Sequence, residues 1–355
     1  MATTSFFYDA ASRLTSSTYL PDLEGASPTT TYYGWDTANA WRTSQGPNAN
    51  PTQANEPIDF SYNAQGRMSA YANADTSANA SYTYDAAGQR TKSVVTVGTT
   101  TTTSFAYEGL TLLKLAATQG ATTWRIDYLS DVEGVPYGGV YRSPASSTSP
   151  TYFSLVTSDR GDVLELCDAD GNAFAAYRYD AWGSPQGAGS YATGIWTQST
   201  SLVTSTLAGQ IASRQNLRYA GYAFDAESGL YYCSARYYDP ATRQWTSGDP
   251  AKADGEESAY QYCGGEPVGR LDASGMYAHA FVPSAHVDQT RYFLKVMQVD
   301  AGRVKAQWGA MWWHPWDFAS WFYVSVRTGG AWDLKQCMGT DVHRQTDKVF
   351  RFGGK

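Results

Sequence analysis

The stretch SYTYDAAGQR, residues 81–90, decides how this sequence folds. Aromatics at i and i+2, here Tyr82 and Tyr84, lie on one face of a strand, and the Asp85 and Gly88 after them carry turn chemistry, so the phrase predicts a strand, a turn and a returning strand. The phrase recurs. Phe6-Phe7-Tyr8-Asp9 leads to Arg13, Tyr33-Gly34-Trp35-Asp36 to Arg42, Phe60-Ser61-Tyr62-Asn63 to Gly66-Arg67, and Phe105-Ala106-Tyr107-Glu108 to Gly109. The second aromatics are 27, 27, 22 and 23 residues apart, a degenerate internal repeat. One such hairpin is too small to bury its apolar face, so successive hairpins are expected to stack into a continuous sheet with aromatics inside and Thr and Ser outside. The aromatic stripe is read as packing rather than as a ligand platform. Later phrases stand at 165–183 (ELCDADGNAFAAYRYDAWG) and 221–232 (GYAFDAESGLYY), and the Gly/Ser/Thr/Ala-rich 186–214 between them reads as an exposed loop or a partly helical insertion.

With 355 residues and 42% apolar content the chain can bury a sizeable core, and two or three units are expected. Aromatics at 15% together with abundant Gly, Tyr and Thr favour strands and turns. No run of about eighteen apolar residues is present, which excludes a spanning helix of that length, and the start shows no secretory signal pattern. Because the repeat begins almost at Met1, the chain is expected to be a fragment of something longer. Cys167, Cys233, Cys263 and Cys337 form no C-x-x-C pair, so buried free thiols are expected in preference to a zinc or redox site.

Charge divides the chain more sharply than its net −7. Residues 277–355 carry ten Lys/Arg and six Asp, a balance of +4, against −11 for the remainder, and they hold all four His and six of the twelve Trp. Such asymmetry predicts separate modules with different partners.

The phrases YDAASRL, YNAQGRM, YDAAGQR and YRYDAWG resemble the YD repeats of the Rhs family, found also in teneurins and in the C subunits of insecticidal toxin complexes. The run from Gly221 to Met276 resembles the Rhs-associated core segment that closes such arrays. The resemblance covers about residues 1–276, and it implies a mainly β, spiral hairpin shell that encloses a C-terminal toxin. It further implies a secreted or cell-surface protein, a cognate immunity protein as partner, and an internal aspartyl protease that needs no cofactor.

That protease cuts after a D-P-x-G-hydrophobic motif, which here reads Asp272-Ala273-Ser274-Gly275-Met276, placing the cut between Met276 and Tyr277 where the charge and His boundary falls. The chain's own C-terminal segment would be its substrate. An aspartyl protease needs two carboxylates that share a proton, one to activate water and one to protonate the carbonyl oxygen. In ARYYDPATRQWTSGDP, residues 235–250, Asp249 is expected as the principal acid/base, Arg236 as its electrostatic partner and Asp239 as the second carboxylate. Read from the residues alone, both Asp-Pro steps are equally well turn initiators. Ala273 stands where the family motif has Pro, Gly265-Glu266 where two Asn are usual, and Arg243-Gln244 where Gly-Arg is usual.

After residue 276 the apolar spacing of Phe293, Val296, Met297 and Val304 predicts an amphipathic helix interrupted near Gly302. Phe322, Tyr323, Val326, Gly329, Gly330, Trp332, Asp333 and Lys335 resemble the polymorphic toxin type 44 family, in which a helix ending in FY-x-x-V runs through a Gly-Gly turn to Trp-Asp-x-Lys. That resemblance implies a nuclease, with nucleic acid as partner. His343, Asp333 and Lys335 are the candidate catalytic residues, with a divalent metal as candidate cofactor; read singly they are a loop, a turn and a surface residue. The family continues past this region, so the segment is expected to be incomplete. The expected organisation is a YD-repeat β-shell segment at 1–214, an Rhs core with an autoproteolytic site at 215–276, and a small α+β or mainly α toxin-like domain at 277–355. The rival expectation is a structural or adhesive cell-surface repeat protein without catalysis.

Overall fold

The computed structural model describes residues 2–23, 25–131, 134–187, 194–250, 258–276 and 278–280, and the backbone of strands at 305–310, 322–328 and 330–332. Sixteen strands, from β1 (Thr3–Tyr8) to β16 (Ile195–Thr197), succeed one another in chain order as a single antiparallel sheet. Each repeat phrase ends an odd-numbered strand: β1, β3 (Thr29–Asp36), β5 (Ile58–Tyr62), β7 (Ala78–Tyr84) and β9 (Thr99–Glu108). At Phe7/Tyr8, Gly34/Trp35, Ser61/Tyr62 and Thr83/Tyr84 the register shifts by a β-bulge, so the second aromatic is re-aimed at the same point of successive hairpins. The acidic or amide residue after it caps the turn. Asp9 Oδ1 accepts the N–H of Ala11 (2.9 Å) and Arg13 (3.0 Å), and Asn63 Oδ1 accepts those of Gln65 and Arg67 (both 3.0 Å). Asp168 and Asp180 repeat the pattern.

The inner face of the sheet is covered by residues C-terminal to β16. Helix α1 (Ser205–Arg214) starts at Thr204, whose Oγ1 accepts the Leu207 N–H at 3.3 Å, and buries Ala208, Ile211 and Ala212 against Leu166, Phe174 and Tyr177. The 186–214 stretch, expected as exposed, is thus anchored in the core by the apolar stripe of this helix. Next, β17 (Ala223–Asp225), β18 (Leu230–Cys233), β19 (Arg236–Asp239) and β20 (Gln244–Trp245) form a small antiparallel sheet. Its Ala223, Leu230, Tyr232 and Tyr237 pack on Phe60, Met68, Tyr71 and Tyr82 of the repeats. On its other face Tyr231, Tyr238 and Trp245 meet Tyr219, Tyr222 and Tyr262 in an aromatic cluster, with Tyr238 and Tyr262 stacked 4.0 Å apart. Three hydroxyls there seize one turn: Tyr219 donates to Ala181 O (2.9 Å), Tyr231 to Gly183 O (2.7 Å) and Tyr238 to Trp182 O (2.7 Å). Arg243 lies 5.7 Å from the Phe6 ring and 5.2 Å from Trp182, so both the first strand and the turn after β15 (Ala173–Tyr177) reach it. Its φ of 63° is a backbone conformation that favours the glycine usual at this position.

The repeat arginines are buried ties between shell and core. Arg42, 2% exposed, binds Asp239 Oδ2 through Nη1 at 2.8 Å, beneath the Phe60 ring. Arg90, wholly buried, makes a bidentate pair with Asp225, Nη2 to Oδ1 at 2.9 Å and Nη1 to Oδ2, and is ringed by Tyr82, Phe105, Tyr232 and Tyr237. Beside them Tyr82 donates to Glu227 Oε1 at 2.9 Å. Burial, then the nearby Asp225 carboxylate, pushes the Glu227 carboxyl up to about 7 from an ordinary value of 4.5. Between those values the unfolded chain has lost a proton that the folded chain keeps, so this group's contribution falls as pH rises from about 4.5 to about 7 and is flat above. Glu227→Gln is expected to raise the urea midpoint at pH 8 and to remove part of the decline between pH 5 and pH 8; an unchanged decline would contradict this.

Two compact units result, Met1–Phe281 and Val282–Lys355. In the second, β23 (Lys305–Ala310), β24 (Phe322–Thr328) and β25 (Gly330–Trp332) form an antiparallel sheet. Phe322-Tyr323-Val324-Ser325-Val326 is therefore strand and not the end of a helix; its aromatic and β-branched run suits an extended chain paired on both sides. The helix expected around Phe293–Val304 lies outside the described residues.

Candidate functional site

The site grows from β19 and from a hairpin C-terminal to the aromatic cluster. β21 (Arg270–Leu271) pairs with β22 (His279–Ala280), Arg270 opposite Ala280 and Leu271 opposite His279, so Asp272–Met276 belong to the connection between them. Asp272 Oδ1 accepts the Met276 N–H at 3.0 Å and the Ser274 hydroxyl at 3.2 Å, the turn chemistry of an Asx residue. The turn is pinned to the end of β18 and the start of β19: the Ala235 N–H donates to Ser274 O at 3.1 Å, and Arg236 Nε donates to Gly275 O. Gly275 has φ +69°, and a Cβ there would lie 2.4 Å from Cys233 O. Gly275→Ala is accordingly expected to lower stability by about 1–3 kcal/mol and to push the turn away from Arg236, read by urea unfolding.

Arg236 is the hub. It is 4% exposed, its guanidinium 4.2 Å from the Trp245 ring, and Nη1 donates to Ala259 O at 3.1 Å. Nη2 reaches Asp249 Oδ2 at 3.1 Å and Asp272 Oδ2 at 3.5 Å. Burial lowers the Arg236 pKa from its ordinary value, and the two carboxylates oppose that pull. The structure thus brings Asp249, Arg236, Asp272, Gly275 and Met276 together. Asp239 stands apart from them: Arg42 holds its Oδ2, while its Oδ1 caps the turn at Ala241 and Thr242 (3.0 and 3.3 Å). The second carboxylate on Arg236 is Asp272, assigned from the sequence only to the segment being cut. The signal for it was present, since Asp272 is the one acidic residue of the motif.

Among the described residues the cysteines offer no competing nucleophile. Cys167, Cys233 and Cys263 are buried and unpaired; burial pushes the Cys167 thiol up to about 11 and Cys263 to about 12, and raises Cys233 as well. Among the described residues no group of three His, Cys, Asp or Glu could hold a metal ion, and no helix is long and apolar enough to cross a membrane. Asp333, Lys335 and His343 lie outside the described residues.

No protein-family model matches the chain. The tRNA3(Ser)-specific nuclease WapA of Bacillus spizizenii is 30% identical over 200 residues, 55% of this chain and 7% of that protein. The double-stranded DNA deaminase toxin A of Burkholderia cenocepacia is 26% identical over 247 residues, 63% of this chain and 16% of that protein. The chain therefore spans a small part of the relatives it matches. In the crystal structure of TcdB2-TccC3-TEV the same fold covers 78% of this chain and 13% of that one, with a TM-score of 0.53 and 17% identity. The chain thus shares its antiparallel hairpin fold with a part of the TcdB2-TccC3-TEV structure and a stretch of its sequence with the WapA nuclease.

Proposed function

We propose that the chain is a segment of an Rhs-like toxin that cuts its own backbone between Met276 and Tyr277, detaching the part C-terminal to the cut. The observation that carries this reading is the meeting of Asp249, Asp272 and the Gly275 carbonyl on Arg236, one residue before the cut. In the proposed reaction one carboxylate takes a proton from water as its oxygen adds to the Met276 carbonyl carbon, and the other protonates the carbonyl oxygen. The tetrahedral intermediate collapses, the C–N bond breaks, the departing nitrogen of Tyr277 takes the proton held by the first carboxyl, and the second carboxylate recovers a proton from the newly formed acid. The products are a Met276 carboxylate and a Tyr277 amine. One proton shared by two carboxylates beside one guanidinium supplies an acid and a base and leaves the trio without net charge, which suits a site this buried. No cofactor enters these steps.

Intact mass under denaturing conditions tests this. The purified chain is expected as two fragments divided after Met276 and Asp249→Asn as one. Two uncut chains would overturn the reading and leave a structural or adhesive shell.

For the released part we infer a nuclease, supported by the WapA similarity of the chain, by the +4 balance after residue 276 and by the type 44 resemblance. His343, Asp333 and Lys335 would act there with a divalent metal, on a nucleic acid, and an immunity protein would hold the activity in check. Degradation of tRNA or DNA by the full chain, lost on His343→Ala, tests it.

A further inference from the structure

We propose that Tyr222 is the positioning residue of this site, fixing the Asp272 carboxylate against Arg236 by clamping the Asp272 backbone; the proposal rests on the self-cleavage reading. The Tyr222 hydroxyl donates to Asp272 O at 2.8 Å and accepts the Asp272 N–H at 3.1 Å. Its remaining acceptor position faces Tyr262 Oη at 3.1 Å, so its one hydrogen and both lone pairs are engaged. A single side chain thus takes both backbone groups of one residue, as a strand neighbour would.

The clamp holds the backbone of a residue whose carboxylate is bound within its own turn. Its Oδ1 contacts, the Met276 N–H and the Ser274 hydroxyl, belong to the same turn and move with it. Its Oδ2 meets Arg236 Nη2 at 3.5 Å, against 3.1 Å for Asp249 Oδ2 on the same nitrogen. Residue 273 is Ala, whose φ is free where a Pro would fix it. Tyr222, in contrast, is immobilised: its ring packs against Tyr219, Tyr231 and Tyr262, and its carbonyl accepts the Arg218 N–H at 2.9 Å. Burial raises its pKa well above the ordinary tyrosine value, which keeps the hydroxyl proton in place. Tyr222 acts through Asp272, whose backbone its hydroxyl binds on both sides.

The full chain, refolded from urea at pH 5 to 8, gives fragments whose appearance is monitored by intact mass. Tyr222→Phe is expected to slow cleavage about ten-fold or more and to change the shape of the pH–rate profile, which a stability loss alone would not do. Tyr231→Phe removes a buried hydroxyl of the same cluster, bound to Gly183 O at 2.7 Å, and is expected to cleave at the parental rate. Equal rates for Tyr222→Phe and the parent, or equal slowing by both variants, would overturn the proposal. The clamp is read separately by amide exchange in the Asp249→Asn chain. There Tyr222→Phe, and not Tyr231→Phe, is expected to speed exchange at Asp272 and Met276 about ten-fold. Unchanged exchange overturns the clamp even if the parent proves not to cut, whereas faster exchange in a chain that never cuts sinks the self-cleavage reading and keeps the clamp.

Discussion

Arg90→Ala is expected to destabilise the first unit by about 3–5 kcal/mol, because it strands a buried carboxylate instead of merely deleting a contact. Arg90 is wholly buried, and Asp225 receives both of its terminal nitrogens. Without the guanidinium, the Asp225 carboxylate loses its bidentate partner inside an aromatic enclosure, with the Glu227 carboxyl only a turn away. The double variant Arg90→Met with Asp225→Leu is expected to lose much less, since apolar groups of similar volume can replace a buried pair. Urea unfolding of the three chains provides the comparison. A single variant that costs less than about 1 kcal/mol would mean that the core is held to the repeats by its apolar contacts alone.

Arg236→Ala is expected to abolish fragment formation, by a factor of about 10² to 10³ in rate. The side chain holds two carboxylates and two carbonyls at once. Its loss removes the guanidinium that Asp249 and Asp272 share and frees the Gly275 carbonyl next to the proposed cut. Arg236→Lys is expected to restore little, because one ammonium on a flexible stem cannot reproduce a planar fork whose three nitrogens each serve a different group. Full cleavage by the Lys variant would show that only the charge at this position matters.

Much of the shell is legible in the sequence. The Asp and Asn after each aromatic pair read as turn residues, and their side chains do cap the turns. Local chemistry of this kind lies within five residues and can be read directly. The arginines beyond those turns cannot be read the same way. Arg42 and Arg90 look like ordinary polar residues after a turn, yet their partners Asp239 and Asp225 are 197 and 135 residues away. The same distance hides the use of Asp239, whose Asp-Pro step resembles that of Asp249 while its carboxylate is already engaged with the second repeat. Helix α1 fits the partly helical reading of 186–214, but its burial is obscured by small residues, Ala208 and Ala212, that bury completely without announcing an apolar stripe. Phe322–Thr328 shows the limit of a short motif: β-branched Val324, Val326 and Thr328 at every second position favour the strand.

The hairpin of β21 and β22 gives a cut after Met276 an unusual outcome. Breaking a peptide bond in a turn removes the cord but not the weave: Arg270 still faces Ala280 and Leu271 still faces His279. Two residues in from the new N-terminus, His279 and Ala280 would already lie paired with their former upstream neighbours. Covalent severance and physical departure then become separate events, the first set by the carboxylates on Arg236 and the second by how readily two short paired segments let go. An assay that reports only chain length sees the first; a native sizing column is needed to see the second.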